Sequence, residues 1–158
     1  MTAFEERFMK RAIELARRGM EADQGGPFGS VIVRNGEIIG EGNNRVTSSN
    51  DPTAHAEIVA IREACRSLND FQLEGCIVYA SCEPCPMCLA AIYWSRADRI
   101  YIACDRHDAA RAGFDDAYIY DELAANPDVR RVPIEQRLRE AGVAVFDEWI
   151  AKPDKVEY

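Results

Sequence analysis

The sequence feature that most constrains the fold is a pair of short motifs with metal-binding side chains. The first is Cys85-x-x-Cys88, and the second, thirty residues earlier, is His55-x-Glu57. Zinc prefers thiolate and imidazole ligands, and three protein ligands with a fourth position left for water are typical of a catalytic zinc. The two motifs therefore predict one Zn2+ ion per chain held by His55, Cys85 and Cys88. They also predict a fold that brings both motifs to one place.

Glu57 lies two residues after the predicted histidine ligand. Zinc lowers the pKa of the water at its fourth position to about 7. A carboxylate close to that water can take its proton and pass it on. Glu57 is therefore the predicted catalytic proton carrier, because a carboxylate ligand would fill the position that the water needs.

Other metal sites are compatible with part of the pattern. A lone Cys-x-x-Cys occurs in structural zinc sites and in redox pairs, and Cys82-x-x-Cys85-x-x-Cys88 resembles part of an iron–sulfur run. A fourth cysteine in a suitable place is lacking, because Cys104 falls inside a predicted strand. The two hypotheses are a zinc deaminase and a non-catalytic zinc or iron–sulfur module. The joint His-x-Glu and Pro-Cys-x-x-Cys pattern is the signature of zinc deaminases and favours the first.

Composition and charge indicate which kinds of substrate and partner the protein can have. A chain of 158 residues with 47% hydrophobic residues is expected to form a single domain over residues 1–158. The net charge is -8 and no basic stripe is visible, whereas nucleic-acid binding depends on phosphate neutralisation. We therefore expect a small-molecule substrate and no nucleic acid. The sequence shows neither a signal peptide nor a long apolar run, so we expect a cytoplasmic location and no membrane partner.

Turn signals and hydrophobic periodicity predict an α/β fold. Thr2 is the predicted N-cap of a first helix that runs to about Met20, and Asn35-Gly36 predicts a hairpin. The predicted strands cover residues 28–34, 37–42, 76–80 and 99–104. Helices are predicted from Asp51 onwards and over residues 86–94, 115–125 and 146–152.

Two stretches carry a weaker pattern. Residues 43–53 are polar and are predicted as a loop, and residues 131–138 fit either a fifth strand or the start of a helix. The order strand–helix–strand–helix–strand in the middle of the chain implies parallel pairing behind the hairpin. A mixed sheet with helices on both faces is therefore expected.

Longer stretches resemble the cytidine-deaminase-fold superfamily and, within it, the short bacterial guanine deaminases. The resemblance depends on residues 25–29, 50–57, 81–88 and 91–94. Most of these are shared with tRNA adenosine deaminases. Residues 112–116 and a tail ending in Glu157-Tyr158 are similar to guanine deaminases. The likeness covers nearly the whole chain and is weakest over residues 126–145.

This resemblance implies a three-layer α/β/α fold with a mixed five-stranded sheet between helices, and a homodimer with exchanged C-terminal tails. It implies hydrolysis of guanine at C2 to xanthine and ammonia. A guanine nucleoside, cytosine and adenosine in tRNA are the alternative substrates. The substrate-binding residues carried over by position are Phe28, Asn44, Ala56, Trp94, Asp116 and Tyr158.

The resemblance also implies individual roles. Phe28 would pack against the purine ring, and Asn44 would hydrogen-bond it, with Asn43 as the alternative for that contact. Asp116 and Tyr158 would complete the pocket, and Tyr158 would come from the tail of the partner subunit.

Overall fold

The computed structural model describes residues 4–114 and 116–158. Its strands are β1 (Gly29–Arg34), β2 (Glu37–Asn43), β3 (Cys76–Cys82) and β4 (Arg99–Cys104). Its helices are α1 (Glu6–Glu21), α2 (Val46–Ser49), α3 (Ala56–Leu68), α4 (Pro86–Trp94), α5 (Arg106–Arg111), α6 (Ala117–Ala124) and α7 (Arg139–Ala151), with a 3₁₀ turn at Pro127–Val129. The chain divides into two compact units, one up to Tyr118 and one from Ile119 to Tyr158.

The first unit is built on a mixed sheet with the strand order β2-β1-β3-β4. β1 pairs antiparallel with β2 and, along its other edge, antiparallel with β3. β3 and β4 run parallel, with α4 in the connection between them. Both residues of the predicted Asn35-Gly36 turn have positive φ, as a tight hairpin requires. The expected mixed α/β architecture is confirmed.

The expected five-stranded sheet is wrong in its strand number, because the described residues form a sheet of four strands. Residues 131–138, which fitted a fifth strand or a helix start, form neither. Pro133 lies in this stretch, where it lacks a backbone N–H and restricts Val132 before it. Both effects oppose a central strand and a helix interior. The last helix begins at Arg139, earlier than the predicted start at Phe146.

Helices cover both faces of the sheet in the first unit. Successive strand residues point to opposite faces, so Val31 packs with Phe8 of α1, whereas Ile32 packs with Ala60 of α3. Gly42 of β2 permits a close approach of α3, because a Cβ there would lie 2.2 Å from the carbonyl oxygen of Ala56. This contact places the first turn of α3 directly against the sheet.

α3 begins later than expected. Its N-cap is His55, not Asp51. The carboxylate of Asp51 accepts hydrogen bonds from the backbone N–H and the hydroxyl of Thr53, so this segment forms a turn before the helix. The predicted loop over residues 43–53 also contains the one-turn helix α2.

Other boundaries differ in the same way. α1 begins at Glu6 with Glu5 as its N-cap, and the predicted cap, Thr2, lies outside the described residues. Asp115, the predicted start of a helix, also lies outside them, and α6 begins at Ala117. The short helix α5 had no counterpart in the sequence-based expectation.

The second unit contains α7 and exposes much of its apolar surface. The exposed fractions are 85% for Leu138, 70% for Phe146 and 66% for Ile150. In this unit, no described residue is buried. Among the described residues of the whole chain, the helices are too short or too polar to cross a membrane.

Candidate functional site

His55 and Cys85 occupy equivalent positions at the starts of two helices. His55 is the N-cap of α3, and Cys85 is the N-cap of α4, where Pro86 fixes a helical φ in the first turn. Cys88 lies one turn further along α4 and is fully buried. Helix N-termini carry free N–H groups and a partial positive charge, which favour thiolates. The local sequence thus prepares both motifs to bind a cation.

The three predicted ligands lie together in space. The Sγ atoms of Cys85 and Cys88 are each 3.5 Å from Nδ1 of His55, and one ligand atom from each residue lies within 4.8 Å of the others. Zn–S bonds of about 2.3 Å and Zn–N bonds of about 2.0 Å, at a tetrahedral angle, would place sulfur and nitrogen about 3.5 Å apart. The cluster therefore fits a tetrahedral zinc ion.

The electrostatics of the cluster also suit a cation. Hydrogen bonds with Cys88 and His55 hold the pKa of the Cys85 thiol well below its ordinary value. The neighbouring Cys85 sulfur raises the pKa of Cys88 and also that of His55. One thiolate therefore forms readily, whereas a second beside it is disfavoured by like charge. A divalent cation between the two sulfurs removes that repulsion.

Cys82 is not part of the cluster. Its thiol donates a hydrogen bond to the carbonyl oxygen of Asp105 at 3.4 Å, and burial raises its pKa to about 11. Cys104 is exposed on β4. Within the described part of the chain, the cluster that could hold a metal consists of a histidine and two cysteines. The iron–sulfur hypothesis therefore lacks the cysteines that it requires.

Glu57 lies in the first turn of α3 and is 7% exposed. Burial raises the pKa of its carboxyl group. Hydrogen bonds to this group, including one with Cys88, partly oppose that effect. The side chain lines the same cavity as His55 and Cys85. A carboxyl group in this position can hold or release a proton beside the cluster.

A cavity of about 400 Å³ opens beside the cluster, which is a usual size for a small-molecule site. Burial and the charge of Cys85 raise the pKa of Asp116 in its wall. The predicted site residues that line this cavity are Phe28, Asn44, His55, Glu57, Cys85 and Asp116.

Two predicted substrate-binding residues of the first unit do not line this cavity, and a third belongs to the second unit. Ala56 is fully buried in α3, Trp94 ends α4 and is 62% exposed, and Tyr158 is 74% exposed in the second unit. Their roles stay predictions.

Two features of the cavity wall were missed by sequence reasoning. The guanidinium group of Arg106 donates to Oε1 of Glu83 at 2.6 and 3.1 Å, and its backbone N–H donates to Oε2. Phe114 packs edge-on against Phe28, with ring centroids 4.9 Å apart. Arg106 begins the unexpected helix α5, and the available signal was Asp105, which caps this helix together with Asp108. Phe114 lies within residues 112–116, whose likeness to guanine deaminases was the available signal.

Known proteins are similar to this chain in sequence and in structure. A guanine deaminase of Bacillus subtilis (strain 168) is 52% identical over 97% of this chain and 98% of its own length. An X-ray structure of guanine deaminase from Bacillus subtilis superposes with a TM-score of 0.95, at 51% identity and with 99% of both chains covered. A tRNA-specific adenosine deaminase of Aquifex aeolicus (strain VF5) is 47% identical over 64% of this chain and 67% of its own length.

The family match covers the part of the chain that builds the site. Residues 2–104 match the cytidine and deoxycytidylate deaminase zinc-binding region, and this segment contains His55, Glu57, Cys85 and Cys88. The match includes more than half of the chain and all four strands. The fold is thus cytidine-deaminase-like, and the cofactor is Zn2+. This chain belongs to the family of zinc-binding cytidine and deoxycytidylate deaminases.

Proposed function

We propose that the protein hydrolyses guanine at C2 to give xanthine and ammonia. The observation that carries the proposal is the extent of the similarity to the Bacillus subtilis guanine deaminase. That similarity covers 97% of this chain, including the residues beyond Cys104 where the match to the zinc-binding region ends. The cavity beside the cluster has a suitable size for a purine base.

The proposed metal ligands are His55, Cys85 and Cys88, whose spacing and charge fit zinc. When bound there, zinc supplies a water molecule with a lowered pKa, which is a nucleophile at neutral pH. The three side chains would hold the ion from two helix N-termini, and α3 and α4 are in turn packed on the sheet. This arrangement fixes the ligands before substrate enters.

Glu57 is the proposed proton carrier. It takes one proton from the attacking water and gives it to the ring nitrogen next to C2. It then takes the second proton from the new hydroxyl group on C2 and gives it to the amine as the C2–N bond breaks. Water and guanine are thereby converted into xanthine and ammonia without another reactant. The position of Glu57 in the first turn of α3, beside His55 and facing the cavity, supports this role.

The proposed contacts with the purine come from the cavity wall. Phe28 offers a ring face or edge for packing, Asn44 a carboxamide and Asp116 a carboxyl group. Ala56, Trp94 and Tyr158 are proposed from the family resemblance alone, the last as part of a closing tail.

We also propose that two copies of the chain form a homodimer in which the C-terminal tails are exchanged. The exposed apolar side chains of the second unit support this, because large exposed apolar patches commonly mark interfaces. A single folded domain over residues 1–158, a cytoplasmic location and a lack of nucleic-acid partners stay predictions.

Deamination of adenosine in tRNA is the second candidate, favoured by the 47% identity to the Aquifex aeolicus enzyme over 102 residues. The net charge of -8 opposes it, because phosphate contacts supply much of the affinity for RNA. Salt-sensitive binding of an anticodon stem-loop, with inosine formed, would select this candidate over guanine.

The test of the proposed function is ammonia release by the zinc-loaded protein from a panel of bases and nucleosides. The panel contains guanine, guanosine, adenine, cytosine and a tRNA anticodon stem-loop. We expect turnover of guanine, with xanthine identified by chromatography. A protein with one zinc per chain that leaves guanine unchanged and deaminates another member would overturn the assignment.

A further inference from the structure

The cavity beside the metal cluster is built from two parts of the chain. One part lies within the zinc-binding region, which ends at Cys104, and it contributes Glu57 and two of the candidate metal ligands. The other part comes after that region and consists of α5 and the turn up to Phe114. In the structure as described, α5 buries none of its six residues. Apolar packing therefore contributes little to holding α5, and its position depends on polar contacts with the first part.

The carboxylate of Glu83 joins these two parts of the wall. Glu83 follows β3 directly and lies two residues before Cys85. Its Oε1 atom accepts hydrogen bonds from Nε and a terminal nitrogen of the Arg106 guanidinium group at 3.1 and 2.6 Å. Its Oε2 atom accepts from the backbone N–H of Arg106 at 3.0 Å. Hydrogen bonds between a carboxylate and a guanidinium are among the strong ones, because both partners are charged.

The bond to the backbone distinguishes this contact from a simple ion pair. A pair of side chains alone would leave α5 free to move about a flexible arm, whereas the backbone bond fixes the first residue of the helix itself. The pair is also partly buried, with 23% of the Glu83 side chain and 40% of the Arg106 side chain exposed. Water therefore competes less with this pair than with a fully exposed one. Glu83 thus fixes where α5 begins.

The other end of α5 leads into the aromatic part of the wall. The backbone N–H of Phe114 donates to the carbonyl oxygen of Ala109, and that of Gly113 to the carbonyl oxygen of Ala110, each at 3.0 Å. These bonds tie the turn at Phe114 to the helix. The Phe114 ring packs edge-on against Phe28 in the first part of the wall, with centroids 4.9 Å apart. The place of the Phe114 ring therefore follows from the place of α5.

We propose that Glu83 is a positioning residue, which acts through Arg106 to hold α5 and the Phe114 ring where the substrate ring packs. This clamp, defined as Glu83 with Arg106, sets the affinity for the ring and not the chemical step. The candidate metal ligands and Glu57 are held by α3 and α4, which pack on the sheet around Ile32. The choice of guanine as the ligand rests on the proposed function, whereas the clamp itself does not.

The first test measures the clamp without substrate, by amide hydrogen exchange on zinc-loaded protein. The Arg106 N–H should be protected in the wild type and lose about 10-fold or more of that protection in Glu83→Ala, because its acceptor is gone. The N–H groups of Gly113 and Phe114 should lose protection as well, because α5 is no longer held. An Arg106 N–H that exchanges like an unprotected loop in the wild type, or unchanged protection of Gly113 and Phe114 in Glu83→Ala, would overturn the clamp.

The second test separates KM from kcat. Arg106→Ala should raise KM for guanine about 10- to 100-fold, because the wall loses the charge-assisted contact that holds it. The kcat should stay within about threefold of the wild-type value, because the interaction lost is not specific to the transition state. Zinc analysis should still give about one ion per chain. Arg106→Lys keeps a positive charge and should recover part of the affinity. A fall in kcat with an unchanged KM would contradict the positioning role.

Arg111→Ala is the matched control, because it makes the same chemical change on the same helix. Arg111 is 82% exposed and pairs with Asp108 within α5 at 3.3 Å. This variant should keep the wild-type KM. A rise in KM as large as that of Arg106→Ala would show that any change on α5 has this effect, and would refute a specific role of the clamp.

A double-mutant cycle decides whether Arg106 acts through Glu83 or on the ligand by itself. If the two residues form one clamp, Glu83→Gln combined with Arg106→Ala should raise KM no further than Arg106→Ala alone. Effects that multiply, or an unchanged KM in Arg106→Ala, would overturn the proposal even where guanine is turned over. A wild type that leaves guanine unchanged would instead refute the proposed function, and the exchange experiment would still decide the clamp.

Discussion

β3 in the first unit and α7 in the second are both rich in apolar residues, yet their environments are opposite. Every residue of β3 is buried, whereas no residue of α7 is. β3 lies between β1 and β4 with a helix on each face, so its side chains find partners within the same chain. α7 exposes Phe146 and Ile150 instead. Apolar side chains therefore form the core in β3, whereas in α7 they form an exposed surface.

The catalytic function can therefore be inferred from a single chain in the first unit, but the role of the second unit cannot. The first unit contains the candidate metal ligands, Glu57 and the cavity on a framework whose buried residues pack against each other. The second unit exposes an apolar surface of the kind that commonly forms an interface. We propose that a second copy of the chain covers this surface. The following experiments test this contrast.

Removal of a ligand should have the largest effect. His55→Ala and Cys85→Ala should reduce zinc from about one ion per chain to nearly none and abolish turnover, because two ligands do not hold a structural or catalytic zinc. Elemental analysis of dialysed protein measures this. Cys104→Ala, on exposed β4, is the control and should keep its zinc. Full zinc content in His55→Ala would contradict the assigned site.

Glu57→Gln should keep zinc and fold but lower kcat by about 10²- to 10⁴-fold, because the amide cannot carry the proton. Steady-state kinetics with parallel zinc analysis measure the loss. Glu63→Gln makes the same change on the exposed side of α3, and its amide oxygen can still accept from the N–H of Glu41. That control should retain wild-type activity. Near-normal turnover by Glu57→Gln would remove Glu57 from the proton path.

Deletion of residues 154–158 should lower activity by about 10- to 100-fold, because the proposed lid positions the ring and excludes water. Zinc content and melting temperature should change little, since none of these residues is buried. Mixing the truncated chain with Glu57→Gln should restore part of the activity if tails are exchanged, because an intact tail then reaches an intact Glu57. Full activity in the truncated protein would exclude Tyr158 from the site.

A matched pair of conservative substitutions gives the smallest effect. Ile32→Val in the core should cost about 1 kcal/mol in the free energy of unfolding, because Ile32 is fully buried. Ile150→Val, at a position that is 66% exposed, should stay within about 0.5 kcal/mol in the monomer. Urea denaturation at low protein concentration measures both. A larger loss at Ile150, or one that grows with protein concentration, would show that α7 is covered.

The sequence by itself determined those helices and strands whose start and stop signals lie within their own residues. Pro86 marks the start of α4, and both α4 and β4 have the predicted limits. The metal-binding residues were also predictable, because their types and spacing alone suit zinc and each of the two motifs lies at the start of a helix after a loop or a strand. Such signals need no knowledge of distant residues.

Tertiary structure decided what depends on contacts between distant parts of the chain. Glu83 and Arg106 are 23 residues apart, and the backbone N–H of Gly26 donates to Oδ1 of Asn44, which lies 18 residues later. Neither pairing has a periodicity that a single segment could reveal. The predicted start of α3 at Asp51 also differs from the observed N-cap at His55. The carboxylate of Asp51 accepts a hydrogen bond from the N–H of Thr53, and this turn competes with the helix. Sequence pattern reports how one segment buries its own side chains, whereas the orientation of an amide or the pairing of two charges depends on where other segments lie.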